Sequence, residues 1–499
     1  MDADLSAAMP DQPSSQLFID GRLRPASGRR SYDNIGPATG EAIGLAADAH
    51  TADMDASIAA ARRAFDDGEW ARDRALRVHC LTQLRDQLRS RADAARERIA
   101  GETGAPLSLT YGYQLDLPIR FIDWTLALAR EHAFERDLGI THAMGMPTRR
   151  LVWKEAAGVV GAITPWNAPV QIDLAKCMAA LGAGCTVILK AAPETPWSAA
   201  LIGEAAAATD LPPGVLNVIT GSDKAALGAQ LVEDPRVDVI SFTGSTATGR
   251  RIMAAAAASL KRVFLELGGK SANILLDDAD FSQALYGGLA VCYHAGQGCS
   301  IPTRMLVPRT RLEEAVETLK TIFESLPYGD PGSREQILGP VISQAQRERV
   351  LGYVDIGRRE GARLVTGGGI PPRLPRGFYV EPTLFAGVEN RMRIAQEEIF
   401  GPVLTVIAHD GDNDAVRIAN DSPYGLGGSV FTSNPAHGAE VAKKISTGMV
   451  YVNHPTKVEA DLMFGGIRRS GYGRELLGLG LTEFVNQKLI DVVDINAHF

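Results

Sequence analysis

From Met54 to Ala100 apolar side chains recur at helical spacing, at Ile58, Ala61 and Phe65 and then at Leu76, Leu81, Leu84 and Leu88, with Gly68 and Trp70 between the runs. The pattern predicts two amphipathic helices packed on a core. Downstream the pattern changes. Short apolar runs at Val159 to Thr164, Thr186 to Leu189, Val215 to Ile219 and Val239 to Phe242 each give way to a turn and a helical stretch. Strands alternating with helices predict βαβ units and a parallel, doubly wound sheet. The alternation resumes with Ala272 to Leu276 and Arg304 to Val307, predicting a second α/β domain. Leu17-Phe18-Ile19 before Asp20-Gly21 reads as a short strand entering a turn, and the polar residues 1–16 read as a flexible arm. Two extended runs, Arg149 to Lys154 and Leu489 to Val493, fit either ordinary edge strands or strands that pair across subunits.

Composition narrows the classes. A chain of 499 residues with 45% apolar and 22% charged positions can bury two or three cores. The net charge of −8 is modest and the 51 Lys and Arg are scattered, Arg149-Arg150 and Arg468-Arg469 being only pairs, so no nucleic-acid partner is expected. No apolar run reaches the roughly 18 to 20 residues of a membrane span, and Asp2 and Asp4 precede any positive charge. Neither a membrane partner nor a signal peptide is expected, and a cytoplasmic location follows by default. Five cysteines, Cys80, Cys177, Cys185, Cys292 and Cys299, are too few and too irregular for a disulfide framework or a metal site. The odd count leaves room for a free reactive thiol.

Cys299 is the candidate nucleophile. Gly298 and Ser300 leave its sulfur uncrowded and Gly296 permits a tight turn, although buried packing is the ordinary role of such a cysteine. Glu266 follows the apolar Val263-Phe264-Leu265 and precedes Gly268-Gly269, a carboxylate at the end of a buried strand. Burial would raise its pKa and suit it to activate water, whereas a strand-end Glu paired with Lys is the plain reading. Pro165-Trp166-Asn167-Ala168-Pro169 ends another strand, and its prolines stiffen the loop that presents the Asn167 amide. Such an amide beside a thiolate could stabilise an oxyanion; otherwise the segment is a Pro-bounded turn. Phe242-Thr243-Gly244-Ser245 precedes a helix, where backbone N–H groups can meet a pyrophosphate. It lacks the three-glycine dinucleotide fingerprint, and Ser245 could serve only as an N-cap.

Together these stretches resemble the aldehyde dehydrogenase superfamily from about Phe18 to the C-terminus. Further matching segments are Lys190, Glu397-Glu398-Ile399-Phe400-Gly401-Pro402, Asn453, Phe464-Gly465-Gly466 and Ser470 to Glu475. The resemblance implies an aldehyde-dehydrogenase-like α/β fold with two doubly wound α/β domains and a small β oligomerisation element. Residues 17–137 and 157–266 would form the dinucleotide-binding domain, 267–475 the catalytic domain, and 138–156 with 476–499 the bridging element of a homodimer or homotetramer. It further implies that Cys299 attacks the aldehyde, that Asn167 and the Cys299 N–H hold the oxyanion, and that Glu266 activates the hydrolytic water. Lys176 and Glu475 would relay protons. The implied cofactor residues are Thr164, Pro165, Trp166, Lys190, Pro193, Glu194, Gly228, Phe242, Thr243, Gly244, Ser245, Leu267, Glu398 and Phe400.

One departure bears on the cofactor. Many NAD-preferring members carry Glu three residues after the Lys, where this chain has Pro193, with Glu194 one position late. NAD is favoured and NADP stays open. In the substrate pocket, Ala168, Ala175, Ala295, Gly298 and Val458 fall where relatives often carry larger groups, with Ile172, Tyr293, Ser300 and Phe464 around them. A bulky aliphatic or aromatic aldehyde is therefore expected. Lys457 would instead suit a semialdehyde, whose carboxylate it would meet. Rival readings are a CoA-acylating dehydrogenase, marked by acyl-CoA as product, against which Glu266 argues, and a non-catalytic structural relative that binds NAD without turnover, against which Cys299, Glu266 and Asn167 together argue.

Overall fold

The computed structural model describes residues 16–143 and 146–493. The arm expected at 1–16 and the last six residues therefore lie outside the described residues, apart from Gln16. The helical pattern of the first hundred residues forms Thr51–Asp66 and Arg74–Thr103. The second buries Cys80, Leu81, Leu84, Leu88, Ala92 and Ile99 along one side.

The first large sheet has eight strands, in the order Gly471–Tyr472, Arg262–Glu266, Val239–Thr243, Val159–Ile163, Thr186–Lys190, Leu216–Ile219, Leu17–Ile19 and Arg22–Arg24. The strands from Arg262–Glu266 to Leu216–Ile219 are parallel. Helices cover both faces, so these strands are apolar throughout and do not alternate. Chain order reverses between Val159–Ile163 and Val239–Thr243, which makes the crevice beyond their carboxyl ends a topological switch point. Pro169 and Pro196 each occupy the first turn of the helix after a strand, where a missing N–H costs nothing.

The second sheet has seven strands, ordered Arg363–Thr366, Thr383–Ala386, Val403–His409, Pro302–Pro308, Ser271–Leu275, Gly428–Phe431 and Tyr451–Val452. All neighbours are parallel except the first pair. It has its own core, including Leu306, Phe323, Phe385 and Val406.

A third sheet differs from the sequence reading. Arg149 to Lys154 is not an edge: strand Met146–Ala156 lies between Glu135–Ala143 and Val485–Val493, antiparallel to both. The C-terminal run pairs with it from Val485 opposite Ala156 to Val493 opposite Thr148. Strand pairing also moves two divisions drawn along the chain. The sheet begins at Glu135, ahead of residue 138, and Gly471–Tyr472 joins the first sheet beside Leu265 and Glu266 although it follows the second sheet in sequence. Among the described residues no helix is long and apolar enough to cross a membrane.

Candidate active site

Glu266 is the last residue of Arg262–Glu266 and is 1% exposed. Neither carboxylate oxygen has a hydrogen-bond partner. Gly465 approaches so closely that a methyl there would stand 2.8 Å from Oε1. Burial, and then the negative charge of Glu475, push the carboxyl well above its ordinary range, while Lys176 and Arg474 pull it down. Lys176 is buried, with Nζ 2.6 Å from Glu475 Oε1 and 3.0 Å from Ser241 Oγ. The arrangement is a buried acid beside an ion pair, able to take up and pass on a proton.

Cys299 follows an unusual turn. His294, Ala295 and Gly296 all have positive φ, 48°, 51° and 71°. Only the glycine was legible as a left-handed residue; the two before it carry strain of about 1–3 kcal/mol each, as functional turns often do. A methyl on Gly269 would fall 2.3 Å from the Cys299 carbonyl oxygen, so the glycine permits strand Ser271–Leu275 to start directly against the nucleophile's backbone. Cys299 is half-buried, and burial, followed by the charges of Glu398 and Glu266, pushes its thiol up to about 12. The resting thiol is thus protonated and needs a base to become a nucleophile. The other four cysteines are buried.

Asn167 completes the group. It is 8% exposed, its Nδ2 donates to the Gln297 carbonyl at 2.9 Å and its own carbonyl accepts from Gln114 Nε2 at 2.9 Å. The second amide N–H is left to donate to an oxyanion. Gln297 is held in turn by the Ile342 N–H at 2.8 Å. Gln114 and Gln297 were not singled out from sequence; Gln297 lies inside the cysteine motif, whereas nothing local marks Gln114.

Asn167, Glu266, Cys299 and Glu475 line one cavity of about 760 Å³, together with Ala168, Ile172, Tyr293, Gly298, Ser300, Val458 and Phe464. Lys176 reaches it only through Glu475. Lys457 lines it too, but its Nζ stands 3.9 Å from Glu459 Oε1, which opposes its charge.

Most of the expected cofactor residues lie at or just after the carboxyl ends of the first sheet's strands, whereas Gly228 sits within helix Lys224–Glu233 and Glu398 and Phe400 lie in the loop before Val403–His409 of the second sheet. Thr164, Pro165 and Trp166 follow one strand of the switch point and Phe242 to Ser245 end the other. Thr243 Oγ1 is buried without a partner. Trp166 meets Phe400 edge-on, centroids 5.4 Å apart, and Phe400 itself has φ 61°. Glu398 Oε1 accepts from the Gly269 N–H at 2.9 Å, and a methyl on Gly268 would lie 2.5 Å from Oε2. Lys190 is 4% exposed, and burial brings its ammonium down to about 8. A methyl on Gly228 would meet nothing within 4 Å. Leu267 is buried against Gly249. An open switch-point crevice, an orphaned hydroxyl, a buried cation and a glycine-backed carboxylate fit a dinucleotide.

Three residues have other partners. Ser245 does cap helix Thr246–Ala256, accepting from the Thr248 N–H at 3.2 Å. Glu194 pairs with Lys224 at 2.7 Å, and the Pro193 carbonyl accepts from Tyr32 Oη at 3.0 Å.

The model of the aldehyde dehydrogenase family matches residues 23–490. A 3-succinoylsemialdehyde-pyridine dehydrogenase of a Pseudomonas species is 39% identical, covering 95% of this chain and 98% of that protein. Geranial dehydrogenase of Castellaniella defragrans is 38% identical over 92% of this chain and 95% of that one. A cysteine-to-alanine mutant of aldehyde dehydrogenase C from Pseudomonas syringae, solved with NAD+ and octanal, superposes with a TM-score of 0.90 at 37% identity over 96% of each chain. The chain belongs to the aldehyde dehydrogenase family.

Proposed function

We propose that this protein oxidises an apolar aldehyde to its carboxylic acid with NAD+, through a thioester on Cys299. The observation that carries the reading is the convergence of Cys299, Asn167 and an unpartnered, buried Glu266 on one cavity. The thiol proton passes to solvent as Cys299 Sγ adds to the aldehyde carbon, and the oxygen that becomes anionic is met by the Asn167 amide and the Cys299 backbone N–H. When bound, NAD+ supplies the hydride acceptor that turns the thiohemiacetal into a thioester. Glu266 then takes a proton from the attacking water, the acid leaves and the Cys299 sulfur is released. Glu475 and Lys176 stand next to Glu266 as the route by which its proton departs. Asn167→Ala is expected to lower kcat by about 100- to 1,000-fold with NAD+ affinity retained, as loss of one oxyanion donor does. Steady-state kinetics with octanal check this; a loss below about threefold would remove Asn167 from the site.

The apolar lining and the pairing of Lys457 with Glu459 favour an uncharged substrate over a semialdehyde. Geranial and octanal, named for two relatives, are of that kind. For the cofactor, NAD+ is favoured over NADP+ because solved relatives hold NAD+, and Glu194, though paired with Lys224 at 2.7 Å, keeps a carboxylate near Lys190. Glu194→Gln should raise the NADP+ to NAD+ ratio of kcat/KM by about tenfold, close to 1.4 kcal/mol; an unchanged ratio would mean that Glu194 does not face the ribose. We also propose a homodimer or homotetramer joined through the third sheet, whose Ile140, Leu489 and Val492 are 74%, 66% and 49% exposed.

A further inference from the structure

Two segments beyond the last strand of the second sheet return to Glu266. Gly471–Tyr472 pairs with the end of its strand, Gly471 opposite Glu266, and the chain runs on through Gly473 and Arg474 to Glu475. Glu475 bridges back to Phe464: its N–H donates to the Phe464 carbonyl at 2.7 Å, and the Phe464 N–H donates to the Glu475 carbonyl at 2.9 Å. Consecutive residues of an extended segment point to opposite sides. Glu475 accordingly lines the cavity and pairs with Lys176, whereas Arg474 leaves on the other side.

Gly465 lets Arg474 come close. A methyl there would stand 2.8 Å from Glu266 Oε1 and 3.0 Å from Arg474 Cδ, so the carboxyl and the stem of Arg474 flank one narrow gap and lie within roughly 6 Å of each other. The guanidinium donates to two neutral acceptors, the carbonyls of Gly466 at 2.9 Å and of Gly473 at 2.6 Å. These bonds hold it in place and leave its charge uncancelled. Lys176, the other cation near Glu266, is held by Glu475 at 2.6 Å. Glu483 stands behind Arg474, its Oε1 accepting from the Arg474 backbone N–H at 3.1 Å. After burial, which dominates, Glu475 and Glu483 push the Glu266 carboxyl up and Lys176 and Arg474 bring it down, Glu483 acting least.

We propose that Arg474 is a positioning residue for the hydrolytic step, acting through Glu266 as the counter-charge of its ionised carboxylate. The need for one is plain, since neither oxygen of this buried carboxyl has a hydrogen-bond partner and a charge in such a place is costly unless another charge balances it. The inference rests on the aldehyde-oxidising reading above and adds what sets the strength of its base. Lys176 and Glu475 lead the proton away on one side, and Arg474 holds the ionised state from the other.

The test is the pH dependence of thioester hydrolysis, read from acid-quenched samples as the decay of the octanoyl group on Cys299 after a single turnover with NAD+ and octanal. In the native protein the rate climbs as Glu266 ionises. Arg474→Met removes the charge and keeps the stem, so the midpoint of the climb should move up by about one pH unit, a roughly tenfold loss on the acidic side that vanishes at the alkaline end. Arg474→Lys restores a cation without the paired carbonyl bonds and should bring the midpoint back to within about 0.3 unit of native. Glu483→Gln keeps the acceptor for the Arg474 N–H but removes the opposing charge. Its midpoint should move down by about half a unit, so the account stays testable if Arg474→Met fails to fold. A purely structural Arg474 would instead give an equal loss at every pH, with the midpoint unmoved and no rescue by lysine. That result, or a Glu483→Gln midpoint at or above the native one, would overturn the proposal and leave the oxidation reading standing. A native protein that forms neither NADH nor the thioester would overturn both.

Discussion

Replacing Cys299 with alanine is expected to abolish aldehyde oxidation, lowering kcat by on the order of 10⁶-fold, the scale seen when a covalent nucleophile is deleted. The size of the effect follows from the chemistry of the cavity. Among its lining residues, Cys299 is the one thiol, and the hydroxyls beside it, Ser300 and Thr456, are far weaker nucleophiles at neutral pH. NAD+ affinity should be retained, because Lys190, Glu398 and the switch-point crevice lie on strand ends and loops that the sulfur does not hold in place. Cys299→Ala should also fold normally, since the turn that presents it is shaped by Gly269, Gly296 and the Gln297 contacts. NADH formation and NAD+ titration measured on one preparation check both halves. Residual oxidation above about one thousandth of native would require another nucleophile.

Glu266→Gln should separate acylation from hydrolysis. The amide keeps the shape of the carboxyl but cannot accept a proton from water, so the thioester forms and then persists. Hydrolysis should slow by about 100- to 10,000-fold, the usual contribution of a positioned base, and the first turnover should appear as a burst of one NADH per subunit. The native enzyme should show the matching pH dependence. With the Glu266 carboxyl raised by burial and by Glu475, its ionised fraction grows as pH rises through that raised value, so turnover increases toward alkaline pH and falls on acidification. Stability has the opposite sign. A carboxyl whose folded pKa lies above its unfolded value near 4.3 holds its proton more tightly in the folded state, so its contribution is fully present below the unfolded value and is lost as pH rises through the folded one. Glu266→Gln removes that loss and should raise Tm at pH 8 by roughly 2 °C or more. Thermal scans at pH 5 and pH 8 check the sign: the gain should be larger at pH 8, and a variant less stable than native there would contradict a desolvated Glu266.

What could be read from the chain divides by how far the deciding contact reaches. Strand ends such as Glu266 and Thr243 and the turn glycine Gly296 were legible, because a residue's place on a buried strand or in a turn follows from its neighbours. Contacts between distant segments were not. Arg149 to Lys154 looks like an edge strand and becomes a central one because Val485–Val493, more than 300 residues later, pairs with it. Glu194 looks like a displaced ribose ligand, and its ion pair with Lys224 depends on how the following strand and helix return. The positive φ of His294 and Ala295 is imposed by the packing around Cys299 against the intrinsic preference of both residues.

The most direct test of the central claim is peptide mass spectrometry of the Glu266→Gln protein quenched in acid after a single turnover with NAD+ and octanal. The account predicts one octanoyl group per subunit, on the peptide containing Cys299, in equal amount to the NADH released. An unmodified Cys299 beside a full equivalent of NADH, or an acyl group on Cys80, Cys177, Cys185 or Cys292, would contradict it.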